Sequence, residues 1–125
     1  MSVPHPVITL TSDFGLDDPY VGVMKGVILR ISPECRLVDL THSIGQGDVV
    51  KASLAVRAAV PYFPVGTVHL VVVDPGVGSA RRPIAVHARG MYFVGPDNGL
   101  FWFLADDDPP PRIVEIRRGP FVLPR

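Results

Sequence analysis

At 125 residues the chain has the length of one domain, enough to bury roughly two thirds of the surface its unfolded form exposes. With 47% apolar and 19% charged residues it lies far from disorder, and twelve basic residues against twelve acidic ones leave no net field to attract nucleic acid or an anionic membrane. The single cysteine, Cys35, excludes an internal disulfide and argues against a zinc cage, which fits a reducing compartment and a small core side chain.

The start, "MSVPHPVITL", lacks the basic opening and apolar stretch of a secretory signal, and no apolar run reaches about 18 residues. A soluble cytoplasmic protein without a membrane partner is the expectation. "VITLTS" (7–12) is β-branched and apolar on both alternating sets, as in a strand covered on both faces of a parallel sheet. From Pro19 to Ile31, Tyr20, Met24, Val27, Ile28 and Ile31 recur at helical spacing, with Asp18 as N-cap and Pro19 in the first turn. Gly22 and Gly26, four apart, predict a close approach of this helix to a neighbouring backbone. "RLVDL" (36–40) reads as a second strand, followed by the loop "THSIGQG". Asp48 caps a helix over "VVKASLAVRAAV", which Pro61 and Pro64 stop. "TVHLVVV" (67–73) is the clearest strand. "PIAVHA" (83–88) and "MYFVGP" (91–96) form a hairpin around Arg89 and Gly90, and "RIVEI" (112–116) is one further candidate strand.

The alternation of strands and helices predicts an α/β fold: a mostly parallel sheet flanked by helices, with a β-hairpin toward the C-terminal part. After "RIVEI" the chain ends at "GPFVLPR" without a closing element, so an incomplete domain is expected.

Ligands of open parallel sheets bind outside the carboxyl ends of the strands. Three polar loops fall at that edge: "SDFGLDD", "THSIGQGD" and "DPGVGSARR". They can bring Asp13, Asp48, Asp74 and Arg81 to one cleft from distant parts of the chain. Asp13, Asp17 and Asp18 repel one another unless solvated or partnered. Asp13 either begins an Asx-turn with Gly15 or accepts hydrogen bonds from the two hydroxyls of a ribose. Asp74 either shapes a turn or, with Arg81 and Arg82 nearby, holds a water by acceptor and donor together. His42 is a candidate for ligand contact, whereas His69 and His87 read as structural. Asn98 in "GPDNGL" reads as a left-handed turn residue whose loop can also line the cleft. Trp102 and its neighbouring Phe residues read as core. Neither GxGxxG nor GxxxxGK[ST], HExxH or GxSxG is present.

Taken together, "TSDFGLDDPYVGVMKGVI", "DLTHSI" with "DV" following, "YFPVGTVHLVVVDPGVGSARRPIAV" and "GPDNGL" resemble the S-adenosyl-L-methionine (SAM) hydroxide adenosyltransferases, adenosine-forming SAM hydrolases related to the fluorinase and chlorinase. The resemblance is collinear from about residue 7 to 104. It implies that residues 1–125 are a partial N-terminal α/β SAM-binding domain, and that the reaction is metal- and cofactor-free hydrolysis of SAM to adenosine and L-methionine, with preference for the R epimer at sulfur. It gives Asp13 the ribose hydroxyls, Asp18 the neighbourhood of the methionine amino group, Asp74 and Arg81 the activation of water, and Asn98 a place in the substrate site. In the halogenating relatives the Asp74 and Arg81 positions are tyrosine and threonine, so the resemblance implies water over halide.

A third catalytic residue, a histidine in a later loop, and a small C-terminal β-barrel domain are implied beyond Arg125, as is a homotrimer whose sites lie between subunits. The 125-residue chain alone is then expected to bind weakly and turn over little. Gly47 replaces a bulkier residue of some relatives, leaving one pocket wall undefined. Two alternatives stand beside this reading: a metal-dependent nucleotidase or phosphatase, because clustered aspartates bind magnesium, and a non-catalytic adenosine-binding or assembly module.

Overall fold

The computed structural model describes residues 5–75 and 82–117. In chain order it contains β1 (Val7–Ser12), α1 (Tyr20–Ile31), β2 (Arg36–Thr41), α2 (Val49–Ala59), β3 (Val68–Val72), β4 (Pro83–Ala88), β5 (Met91–Pro96) and β6 (Arg112–Glu115). Short 3-10 turns lie at Val60–Tyr62 and Trp102–Leu104. The strands make one sheet in the order β2-β1-β3-β5-β4-β6. Pairings from β2 through β1 and β3 to β5 are parallel, and those of β4 with β5 and β6 are antiparallel. The expected mostly parallel α/β sheet with a late hairpin is what forms.

Alternation along β1 decides which residues meet the core. Thr9 and Thr11 pair with His69 and Val71 of β3, on the face covered by α2. Ala52, Val56 and Val60 pack there with Val71, Phe93, Leu100 and Leu104. Phe93 is fully buried, a contribution of about 2 to 3 kcal/mol from its apolar surface. Ser53 turns its hydroxyl to the Leu100 carbonyl, so the polar residue on the inner face of α2 is satisfied. Cys35 is buried as a small apolar residue.

The hairpin turn is set by Arg89 at φ +56° and Gly90 at φ +71°, the paired left-handed conformations that match the twist of a two-residue connection. Arg89 then grips Asp107 through Nε at 2.7 Å and its terminal nitrogen at 2.9 Å. At the end of α2, Pro61 has no N–H to continue the ladder and the chain tightens into the 3-10 turn.

Four expectations are corrected. The N-cap position of α1 is Pro19, without a side-chain cap, and Asp18 one residue earlier accepts from the Tyr20 N–H at 3.2 Å. Tyr20 and Ile31 point outward, 62% and 53% exposed, because the inward stripe runs through Val21, Met24, Val27 and Ile28. Gly22 and Gly26 face open space: a Cβ on either meets nothing within 4 Å among the described residues. Trp102 is 54% exposed with the Arg57 guanidinium 5.9 Å from its ring, while Phe101 and Leu104 take the core positions.

Candidate active site

The strand order reverses between β1 and β3, since the chain leaves β1 for β2 on one side and returns to β3 on the other. Loops leaving two such strands diverge and open a crevice at the carboxyl edge. Asp13 leaves β1 there and Asp74 leaves β3. Ser12 and Val72 are register partners, so the two aspartates follow a shared rung by one and two residues. The Asp13 N–H also reaches the Val72 carbonyl, at a long 3.4 Å.

The loop after β2 closes the third side. Gly47 donates its N–H to Asp13 Oδ2 at 2.8 Å. Its Cα lies so close to the chain after Asp74 that a Cβ built on it would stand 2.9 Å from Pro75 Cα. With φ at +70°, the position takes glycine for both reasons. The bulkier residue of some relatives does not fit this backbone, and the pocket wall at this point is main chain. Gly47 therefore bridges the two aspartates' turns, bonded to one and packed on the other.

Asn98 arrives from the loop after β5. Its Nδ2 donates to the Val73 carbonyl at 3.0 Å, fixing the residue before Asp74, and its buried Oδ1 has no hydrogen-bond partner among the described residues. The left-handed residue of that turn is Gly99, at φ +88°, rather than Asn98. The structure thus brings Asp13, Asp74 and Asn98 together. Asp18 Oδ1 accepts from the Tyr20 N–H at 3.2 Å and Asp48 Oδ1 from the Lys51 N–H at 3.0 Å, both at helix starts. Arg81 lies outside the described residues.

Asp13 forms no Asx-turn with Gly15, whose N–H goes to the His42 carbonyl at 2.8 Å. His42 is buried and commits both ring nitrogens to protein, Nδ1 to Ser12 Oγ at 2.6 Å and Nε2 to Asp39 Oδ1 at 2.7 Å. Partial burial works to raise the Asp39 pKa, but hydrogen bonds from Lys25 and His42 and their charges outweigh it and hold the carboxylate below its usual value. The resemblance marked Gly47 only as an undefined pocket wall, and the Ser12–His42–Asp39 line was not read from the sequence. The signals were present in "GQGD" before a helix and in a serine, aspartate and histidine at two adjacent strand ends. Among the described residues, no group of three or more His, Cys, Asp or Glu is placed to hold a metal ion, and no helix is long and apolar enough to cross a membrane.

A parallel sheet that gathers carboxylates at its switch-point crevice belongs to the class of α/β domains whose small-molecule ligands bind at the carboxyl edge. Residues 8–122 match the sequence model of the SAM hydroxide adenosyltransferase N-terminal domain, and the chain belongs to that family. It is similar to an (R)-S-adenosyl-L-methionine hydrolase of Thermus thermophilus, 52% identical over 111 residues, which cover 86% of this chain and 42% of that protein. A fluorinase of Actinoplanes sp. is 29% identical over 119 residues, 77% of this chain and 40% of that one. The crystal structure of an uncharacterized conserved protein from Thermotoga maritima superposes with a TM-score of 0.80 at 42% identity, covering 89% of this chain and 43% of that one. The chain spans about two fifths of the length of the curated relatives it matches.

Proposed function

We propose that this chain carries the nucleoside-binding half of a SAM hydrolase, which converts SAM and water to adenosine and L-methionine with preference for the R epimer. One observation supports the reading most: Asp13 and Asp74 follow paired strand ends at the β1/β3 switch point, Gly47 bonded to the first and packed on the Pro75 after the second, in a chain 52% identical over 111 residues to a named (R)-SAM hydrolase.

The chemistry asks little of the protein. The sulfonium is already a good leaving group, so a water in line behind C5′ suffices once competing solvent is excluded. The water oxygen bonds to C5′, the C5′–S electron pair returns to sulfur as the methionine thioether, and the water releases a proton. Asp13 accepts from the ribose hydroxyls, and Asp18 lies toward the methionine amino group. Asp74 and Arg81 hold the water as acceptor and donor, and Arg81 with the cationic substrate stabilises developing hydroxide. Asn98 keeps the Asp74 turn in place through the Val73 carbonyl. No metal or cofactor is needed for this displacement. The protein acts in the cytoplasm as a homotrimer, and residues of a later loop and a second domain complete each site, so the 125 residues alone are weakly active.

The test is chromatography of adenosine after incubation of SAM with this chain and with a version extended to the length of its relatives. In the extended protein, Asp74→Ala and Arg81→Ala each lower turnover by about a hundredfold or more. EDTA leaves it unchanged, whereas a magnesium-dependent nucleotidase loses its activity. Full activity in both variants would contradict the assignment.

A further inference from the structure

Beneath the crevice, four side chains form an unbroken line that the proposed chemistry does not use. Lys25 Nζ on α1 donates to Asp39 Oδ2 at 2.6 Å, Asp39 Oδ1 meets His42 Nε2 at 2.7 Å, and His42 Nδ1 meets Ser12 Oγ at 2.6 Å. Serine, histidine and aspartate in a row invite comparison with a nucleophile and its base. The geometry refuses it. Ser12 is 0% exposed and His42 4%, so no substrate reaches the hydroxyl.

What the line does instead follows from its donors and acceptors. An ionised Asp39 can only accept, so His42 carries its proton on Nε2. In the neutral ring Nδ1 is then an acceptor and receives the Ser12 hydroxyl proton, which leaves the Ser12 oxygen lone pairs for the Phe14 N–H at 3.3 Å. Gly15, one residue on, donates its N–H to the His42 carbonyl at 2.8 Å. Asp13 sits inside this span, between Ser12 and Phe14. Its own backbone tie, the 3.4 Å contact with Val72, is too long to hold it firmly.

We infer that Ser12, His42 and Asp39, steadied by Lys25, are positioning residues: their one-way hydrogen-bond line fixes the turn that aims the Asp13 carboxylate at a nucleoside ribose. The inference rests on the reading of Asp13 as the ribose ligand. None of the four touches substrate. The line runs from the half-buried Lys25 of α1, through the end of β2, to the last residue of β1, and so ties the β1 end that borders the crevice to the neighbouring strand.

Asp39→Asn is the direct test, because a carboxamide can donate to Nε2, which moves the His42 proton to Nδ1 and reverses the bond to Ser12. Two quantities are read. The Gly47 amide reports the Asp13 carboxylate whether or not ligand binds, and its proton resonance moves upfield as the bond to Oδ2 loosens. The adenosine Kd and the KM for SAM rise about tenfold while kcat changes little. Ser12→Ala, which removes a single oxygen, moves both in the same direction and covers the case in which Asp39→Asn does not fold. An unmoved Gly47 resonance, or a Kd within about twofold of the parent, overturns the inference. If the parent protein binds no adenosine, the nucleoside reading falls, and the Gly47 resonance alone then judges the line.

Discussion

His69 is held neutral by its surroundings. It is 0% exposed, its Nδ1 lies 2.7 Å from Thr9 Oγ1, and its ring stacks on Phe93 at 5.1 Å. Desolvation lowers its pKa from 6.5 to about 4. Above pH 6.5 both folded and unfolded chains carry the neutral ring, so this group adds no pH dependence. As pH falls from 6.5 toward 4 the unfolded chain takes up a proton that the folded one refuses, and stability drops by about 3 kcal/mol. Urea unfolding at stepped pH measures this, and His69→Gln, with no proton to take up, flattens the curve over that window. That His69 is structural was legible from its place in an alternating strand. Gly47 was not: the sequence shows a glycine in a loop, and only the fold reveals a backbone at φ +70° wedged against Pro75. The partners of His42 were hidden for a related reason, because Ser12 lies 30 residues away and only strand pairing makes it a neighbour.

Among elements, local signals carried furthest where they were chemically redundant. Asp48 before an apolar helix, with two prolines after it, marked α2 at both ends, and the cap is present in the bond to the Lys51 N–H. Asp48→Ala removes that acceptor and costs about 1 kcal/mol, measurable as a lower urea midpoint with unchanged slope. Because the side chain is exposed and belongs to the helix start, adenosine binding is unaffected by the change. The hairpin was legible to the residue, since Arg89-Gly90 between two alternating apolar runs admits few other connections. The inner face of α1 was less legible. Apolar residues surround it on more than one side, and periodicity alone does not say that Val21, rather than Tyr20 or Ile31, meets the sheet.

For the molecule as a whole, the strand-helix alternation indicated a mostly parallel sheet, and the rule for ligands at strand ends indicated the edge. The order β2-β1-β3-β5-β4-β6 adds what no local pattern contains: it sets β1 beside β3, and so Asp13 beside Asp74. Asp48, one of the expected rim groups, stands at a helix start, as Asp18 does, because carboxylates near an N-terminus serve free N–H groups as readily as a ligand. Asp13, bonded to the Gly47 N–H, and Asp74, just before the Pro75 on which Gly47 packs, follow neighbouring strand ends, and the proposed reaction has them hold a ribose and a water. That claim is tested most directly by running the reaction of the length-extended protein with SAM in heavy-oxygen water and weighing the adenosine by mass spectrometry. The account predicts one heavy oxygen, at the 5′ hydroxyl, and a loss of labelled adenosine in Asp74→Ala. Unlabelled adenosine, or label delivered undiminished by the Asp74→Ala variant, would contradict it.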